Sequence, residues 1–196
     1  YDTNDMTAAE AALTEADAFQ VRMHDVRFGP SAALKFRTLQ QMRELISWGL
    51  GRQPAALTVG EETLEWAKAQ GVRSRSLKFQ SNYASLARQH GMLLSWVPGR
   101  SEESHQVLAE AQHLIGEVVL QAGDDAPARG ELADCWLELG RPDEAARVMA
   151  EMKAVDALPV PYEVTHVEAL VLSGQTAEGL RRTEGRFLER DLERAL

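Results

Sequence analysis

Residues 131–152, ELADCWLELGRPDEAARVMAEM, consist of two short amphipathic stretches on either side of the turn LGRPD at residues 139–143. Apolar residues recur at helical spacing in both stretches, and glycine and proline mark the break between them. A pair of short helices cannot bury its apolar faces alone, so it must pack against further elements. This hairpin constrains the fold strongly, because it favours a stack of similar helix pairs.

Helical periodicity extends over most of the remaining chain. Further helices are predicted over residues of about 7–26, from Ser31, from Thr58 to Gln70, from Ser76 to Trp96, and from Ser101 to Gly123. The helix that begins at Ser31 has one predicted apolar face, formed by Leu34, Leu39, Met42, Leu45 and Ile46. Valine and threonine are too scattered to predict a sheet. The sequence therefore predicts an all-α protein.

The hairpin also carries a pattern of small and large residues. Leucine, a small residue, an aromatic residue, a turn glycine, a second small residue and a second large apolar residue follow one another at set spacings: Leu132, Ala133, Trp136, Gly140, Ala145 and Met149. In this pattern the chain resembles the tetratricopeptide repeat family, whose unit is about 34 residues long. The resemblance implies a right-handed stack of antiparallel helical hairpins.

The resemblance extends over residues of about 80–185. One period forward lie Val167, Leu170, Gly174, Gly179 and Thr183, and one period back lie Ala111, Ile115 and Val118. An earlier first helix is predicted with Tyr83, Ala84, Ala87 and Gly91 in the corresponding roles, Gly91 as the turn glycine, if about 15 residues around Trp96 to Glu103 are inserted. Arg129, Val167 and Thr183 depart from the family pattern. A generic helical hairpin remains the alternative.

The composition allows one helical domain. The chain has 196 residues, 44% of them apolar, and we expect a single all-α domain over residues 1–196. Its organisation is predicted as an irregular helical part, 1–75, followed by a repeat-like part, 76–196. No apolar run is long enough to span a membrane. The single cysteine, Cys135, is expected to be buried, and it favours a cytoplasmic location.

Catalytic and metal-binding patterns were not found in the sequence. The five histidines never occur at the i, i+4 spacing that places two imidazoles on one metal ion, and Cys135 has no partner cysteine. There is no glycine-rich phosphate loop and no nucleophile elbow. We therefore expect no catalytic residues, no metal and no cofactor.

The charge of the chain is unevenly distributed. The net charge is −9, yet residues 66–101 contain no acidic residue and six basic ones: Lys68, Arg73, Arg75, Lys78, Arg88 and Arg100. Part of this window has the spacing of a helix-turn-helix, so a transcription regulator that binds nucleic acid through residues 68–88 is the alternative function. The overall acidity makes nucleic acid the less favoured partner. Arginines that pair with acids elsewhere on the chain explain the window equally simply.

Residues 176–196 alternate charged residues around Leu180, Phe187, Leu188, Leu192 and Leu196. Such an amphipathic helix fits a polar cap of the stack, a connection to an output domain, or a homodimer through the C-terminal helix. The cap is the favoured interpretation.

The resemblance implies a binding module and not an enzyme. We expect a protein-interaction or regulatory and signalling module, which binds a protein or peptide of acidic character. The expected contact residues are Arg73, Arg75, Lys78, Tyr83, Arg88, Arg129 and Glu138. Of these, Tyr83, Arg88, Arg129 and Glu138 belong to the groove that first helices of stacked hairpins would line.

Overall fold

The computed structural model describes residues 7–9, 11–12, 14–15, 30–71, 77–122, 126–152 and 160–183. The described residues form helices and turns without a strand, which confirms the all-α prediction. The main helices are α1 (Pro30–Gly49), α2 (Gln53–Gly71), α3 (Leu77–Ser95), α4 (Ser101–Ala122), α5 (Ala126–Glu138), α6 (Pro142–Ala150) and α7 (Val160–Leu172). Residues 176–183 form a further helical segment after α7.

The chain divides into two compact units, Tyr1–Ala111 and Gln112–Leu196. The division falls inside α4, whereas the sequence pattern changes near residue 75. That the chain folds as a single domain stays a prediction. Each unit is described separately below.

In the first unit, α1 packs against α2, α2 packs against α3, and α1 also packs against α3. The turn between α1 and α2 contains Gly51, whose φ of +75° lies in the left-handed region that favours glycine. The amide of Gly51 donates to the Trp48 carbonyl, and the amide of Arg52 donates to the Ser47 carbonyl. These two bonds form the Schellman motif that ends a helix.

The predicted boundary of α2 is wrong by about one and a half turns. The helix begins at Gln53, not at Thr58, and it ends at Gly71. Pro54 lies in its first turn, where a missing amide proton costs no hydrogen bond. The helix is therefore much longer than the proline and the preceding glycine suggested.

The predicted apolar face of α1 is wrong in part. Ile46 is buried, but Met42 and Leu45 are exposed, at 46% and 42% of their surface. Glu44 is buried in their place, at 3% exposure. The side chains of Leu34 and Leu39 lie outside the described residues. Periodicity alone assigned the face because it treats a glutamate as a surface residue.

Glu44 is buried because α3 supplies partners for its carboxylate. Its Oε1 lies 2.7 Å from Nδ1 of His90, and its Oε2 accepts a hydrogen bond of 2.8 Å from Nε2 of Gln89. The Gln89 amide also donates to the Gln41 carbonyl, at 2.9 Å. A buried charge is tolerated when both of its oxygens are bonded in this way. Gly60 of α2 completes the arrangement, since a Cβ there would overlap the His90 ring and the Glu44 carboxylate.

The apolar core of the first unit includes Leu57, Leu93 and Leu94, with Trp48 packed against them. Gly91 is not a turn glycine as the repeat alignment predicted, because it lies inside α3. A Cβ at Gly91 would lie 2.7 Å from Cγ of Leu108, so this glycine allows α4 to approach α3 closely.

The insertion that the repeat period predicted does not form a separate segment after α3. Helices α3 and α4 are 19 and 22 residues long, and the turn between them is short and contains Pro98 and Gly99. The extra residues inferred from the repeat period therefore extend the two helices, apart from that short turn.

The second unit repeats itself. Helices α5 and α7 each have 13 residues, and each residue of α7 lies 34 positions after its counterpart in α5. The turn glycines Gly140 and Gly174 have φ values of +69° and +82°. In both turns the glycine amide donates three residues back, and the following amide donates five residues back. The prediction that the two glycines occupy equivalent turns is confirmed.

The small and large residues of the hairpin pack as the repeat pattern predicts, with one exception. Ala133, Ala145 and Met149 are completely buried, and Cys135 is buried as expected. The repeat pattern also predicts that Trp136 fills the space between the helices, but its side chain is only half-buried. Its ring packs against the guanidinium of Arg141, with 5.3 Å between the Arg141 Cζ and the ring centroid. Trp136 therefore covers the turn instead of filling the core.

Candidate functional site

In the second unit, the first helices of the two hairpins, α5 and α7, pack directly against each other. They approach closely at Gly130, where a Cβ would lie 2.6 Å from Cε1 of Tyr162. Only a residue without a side chain lets the tyrosine ring lie against the α5 backbone at this point. The glycine thus sets the distance between the two helices.

One polar contact fixes the alignment of α5 and α7. The hydroxyl of Thr165 donates a hydrogen bond of 3.0 Å to Oδ1 of Asp134. One turn along each helix separates this bond from the contact between Gly130 and Tyr162. The apolar contact and the hydrogen bond are four residues apart on α5 and three residues apart on α7. Together they define the register of the two helices.

Several side chains are exposed on a side of α7 that α5 does not cover. Val164 and Leu172 are each 59% exposed, Val171 is 42% exposed, and Glu168 is exposed between them. Val171 also packs against the segment 176–183, since a Cβ at Gly179 would lie 2.9 Å from its Cγ2. Large apolar side chains in a cluster are more informative than single exposed ones, because they mark surfaces that bind partners. We call Val164, Glu168, Val171 and Leu172 the α7 face.

Sequence reasoning missed the α7 face, although a signal was present. The segment VPYEVTHVEALVL has apolar residues on more than one side of the helix. A helix of this kind either is buried all round or has a further partner for its second apolar side. The repeat pattern accounts for only one of these sides.

The predicted contact residues are divided between the two units. Lys78 is exposed, Tyr83 is buried and Arg88 is half-buried, all on α3 of the first unit. Arg129 and Glu138 lie on α5 of the second unit. Arg73 and Arg75 lie outside the described residues.

The two predicted residues on α5 differ in exposure. Only 15% of the Arg129 side chain is exposed, and its Nη1 lies 3.3 Å from Oε2 of Glu151. Glu138 is exposed at the end of the helix, in the position that corresponds to Leu172 of α7. Glu138 is therefore the more accessible of the two to a partner.

Tyr83 takes part in a contact inside the first unit. Its hydroxyl donates a hydrogen bond of 3.1 Å to Oε1 of Glu110, and Nζ of Lys68 lies 3.1 Å from Oε2 of the same carboxylate. The Lys68 ammonium also lies 6.0 Å from the centroid of the Tyr83 ring. Burial raises the pKa of the Tyr83 hydroxyl, and the charge and hydrogen bond of Glu110 raise this pKa further.

Arg100 of the basic window is also paired with acids outside the window. Its guanidinium donates hydrogen bonds to Glu103 and to Oε1 of Glu61, the latter at 3.0 Å. The hydrogen bonds that Arg100 donates to Glu103 and Glu61 raise the pKa of Arg100, and Arg100 in turn lowers the pKa of Glu103. For Lys68 and Arg100, therefore, the explanation of the basic window by internal pairing holds.

The described residues also bear on metal sites and on membrane-spanning helices. In that part of the chain, no group of three or more histidine, cysteine, aspartate or glutamate residues is arranged to hold a metal ion. None of the described helices is both long and apolar enough to cross a membrane.

Comparison with known proteins agrees with the repeated geometry of the second unit. Residues 107–160 match the family model of the tetratricopeptide repeat. This range includes all of α5 and α6 and ends at the first residue of α7. No significant match was found among curated proteins or among solved structures. The family match and the 34-residue offset between α5 and α7 together show that this chain contains tetratricopeptide-like repeats.

Proposed function

We propose that this chain is a non-catalytic protein-binding module with a regulatory or signalling role. Tetratricopeptide repeats generally mediate protein–protein interaction and are typically non-catalytic scaffolds, and residues 107–160 match their model. The observation that carries the proposal for this chain is the α7 face. Its three apolar side chains are exposed on a helix whose other side already packs against α5.

The energetics of the α7 face favour a bound partner. Burying apolar surface stabilises a complex by about 25 cal/mol per Å² removed from water. Valine side chains are also stiff, so little side-chain entropy is lost when they bind. The scaffold below them is ordered by the contacts of Gly130 with Tyr162 and of Asp134 with Thr165. A rigid helix that presents stiff apolar residues is suited to bind another protein.

The experiment places a photo-crosslinking amino acid at single positions of the full chain, in the cells that produce it. Glu138 is chosen because it is exposed at the end of α5. Arg147 of α6, the second helix of the same hairpin, is a matched exposed control. We expect position 138 to cross-link to one or a few discrete proteins, and position 147 to give much weaker adducts with them.

A third position distinguishes the alternative function. Lys78 is exposed and lies within the basic segment 68–88. Cross-links from position 78 to DNA or RNA, with none from position 138 to protein, would support a nucleic-acid-binding regulator and contradict our proposal. Equal labelling of proteins from positions 138 and 147 would contradict it as well, because such labelling reports random collision.

A further inference from the structure

The contact between α5 and α7 provides a template for what the α7 face binds. On α5, Gly130 contacts Tyr162 and Asp134 accepts the hydrogen bond from Thr165. The residues 34 positions further along are Val164 and Glu168, both exposed on α7. Val164 and Glu168 of the α7 face therefore lie on the side of α7 that corresponds to the docking side of α5.

The two faces share their chemistry but differ in detail. Both have a carboxylate at the equivalent place: Asp134 lies four residues after Gly130 on α5, and Glu168 lies four residues after Val164 on α7. Val164 replaces Gly130, so a ring can no longer lie against the backbone and a smaller aliphatic side chain fits better. The hydroxyl that donates to Asp134 belongs to Thr165, which follows Tyr162 by three residues on α7.

We propose that the α7 face binds an amphipathic helix of another protein in the register with which α7 binds α5. The partner helix places an aliphatic residue, i, against Val164 and an arginine or lysine, i+3, against Glu168. A second apolar residue, near i+7, contacts Val171, which lies two turns after Val164. This inference rests on the proposed function and specifies the partner. It replaces the acidic partner expected from the sequence with one that is basic at this contact.

The charge of the face supports a cationic donor. Glu168 is exposed among apolar side chains, so a partner that covers them also removes water from the carboxylate. A cationic donor compensates for that loss better than a hydroxyl does, because it adds the attraction of opposite charges to the hydrogen bond. A membrane surface with anionic lipids is disfavoured, because its charge has the same sign as that of Glu168.

A second copy of this chain is a poorer occupant. The residues that dock α7 on α5 are Tyr162 and Thr165, and both already contact α5 within the unit. A second α7 therefore has no free equivalent of that docking side. A different helix, from another protein, satisfies the same geometry without this conflict.

The test selects peptides against the full chain. A displayed library of helix-forming 18-residue peptides is panned in parallel on three chains: the unchanged chain, E168K, and the control E117K. Glu117 is an exposed acid on α4 in the second unit, so its reversal makes the same change in net charge away from the α7 face. Circular dichroism and thermal unfolding of each variant establish that the fold is unchanged.

We expect the unchanged chain and E117K to select the same peptides, with arginine or lysine three residues after an aliphatic residue. E168K should select glutamate or aspartate at that position instead. A synthetic peptide selected on the unchanged chain should bind E168K at least about tenfold more weakly in biolayer interferometry, and E117K equally well. The variant V164D should weaken the same peptide by a similar factor, because Val164 is exposed and contacts residue i of the partner helix.

Three results would overturn the inference. The first is that no peptides are enriched, or that the enriched peptides bind E168K and V164D unchanged. The second is a dimer in sedimentation experiments that V164D dissociates, which would assign the face to a second copy. The third is peptide binding only in the variant L188D/L192D, which would assign the face to residues 184–196. The cross-links from position 138 distinguish this failure from failure of the proposed function, because they do not depend on Glu168 or Val164.

Discussion

The two units join their first helices with different chemistry. In the first unit, α1 and α3 are connected by buried polar groups, with Glu44 bonded to His90 and Gln89. In the second unit, α5 and α7 approach closely at Gly130 and share one hydrogen bond between Asp134 and Thr165. The order of helix contacts is the same in both units, first helix to second helix to next first helix.

The same arrangement of helices can therefore be specified by two different kinds of contact. Close packing of small residues recurs with a fixed period, and it therefore appears in the sequence as a repeat. A buried polar network depends on directional bonds between individual residues and leaves no periodic pattern. Accordingly, the family model matches residues 107–160, most of which belong to the second unit.

The largest predicted effect breaks the polar interface of the first unit. Replacing His90 by alanine leaves the Glu44 carboxylate buried without its imidazole partner. Removal of one member of a buried pair costs about 3–5 kcal/mol, so we expect H90A to lower the free energy of unfolding by that amount in urea denaturation. The double variant E44M/H90L should recover most of the loss, because apolar residues of similar size need no partner. A loss below about 1 kcal/mol in H90A would mean that the pair is not buried.

The next effect disturbs the close approach in the second unit. In G130A the new methyl group overlaps the Tyr162 ring, which must move away from α5. Forced overpacking costs about 1–3 kcal/mol, and we expect the upper end of this range because the ring lies directly on the glycine. The double variant G130A/Y162A should be less destabilised than the sum of the single variants. Additive effects would show that α5 and α7 do not touch here.

A smaller effect is expected at Trp136. A fully buried tryptophan costs about 3–5 kcal/mol when replaced by alanine, and half-exposed Trp136 should cost about half of that. Since the ring also packs on Arg141, the variant R141M should by itself cost no more than about 1 kcal/mol. Denaturation curves of W136A and R141M test both values. A cost above about 4 kcal/mol in W136A would show that the Trp136 ring is fully buried in the core.

The smallest effect removes the hydrogen bond between Thr165 of α7 and Asp134 of α5. T165V keeps the shape of the side chain but cannot donate to Asp134, and we expect a loss of about 1 kcal/mol. The same substitution at Thr58, whose hydroxyl bonds to a carbonyl of its own helix and lies at the surface, serves as the control. An equal loss in T58V and T165V would show that the bond to Asp134 contributes nothing specific to the interface.

The helices and turns of the second unit were predictable because their causes are local. Gly140 and Gly174 end helices through a backbone conformation that other residues resist, and both were recognised in the sequence. The candidate site was predictable only in part. Glu138 is exposed as a contact residue needs to be, but the α7 face was missed because exposure depends on which side of the helix α5 covers.

The first unit shows why other features could not be predicted. Glu44 and His90 are 46 residues apart in the chain, and no rule of spacing brings them together. Gly91 resembled a turn glycine, yet it lies inside α3 because Leu108 of α4 needs the space. In both cases a residue of one helix is explained by a residue of another.

The sequence by itself determined the all-α class, the turns at Gly140 and Gly174 and the 34-residue period, because helix propensity, turn conformation and apolar spacing act over a few residues. The tertiary structure decided that Glu44 is buried, that Trp136 lies at the boundary of the core, and that one side of α7 remains exposed. Burial is a property of the contacts between helices, and those contacts form only when distant parts of the chain have come together.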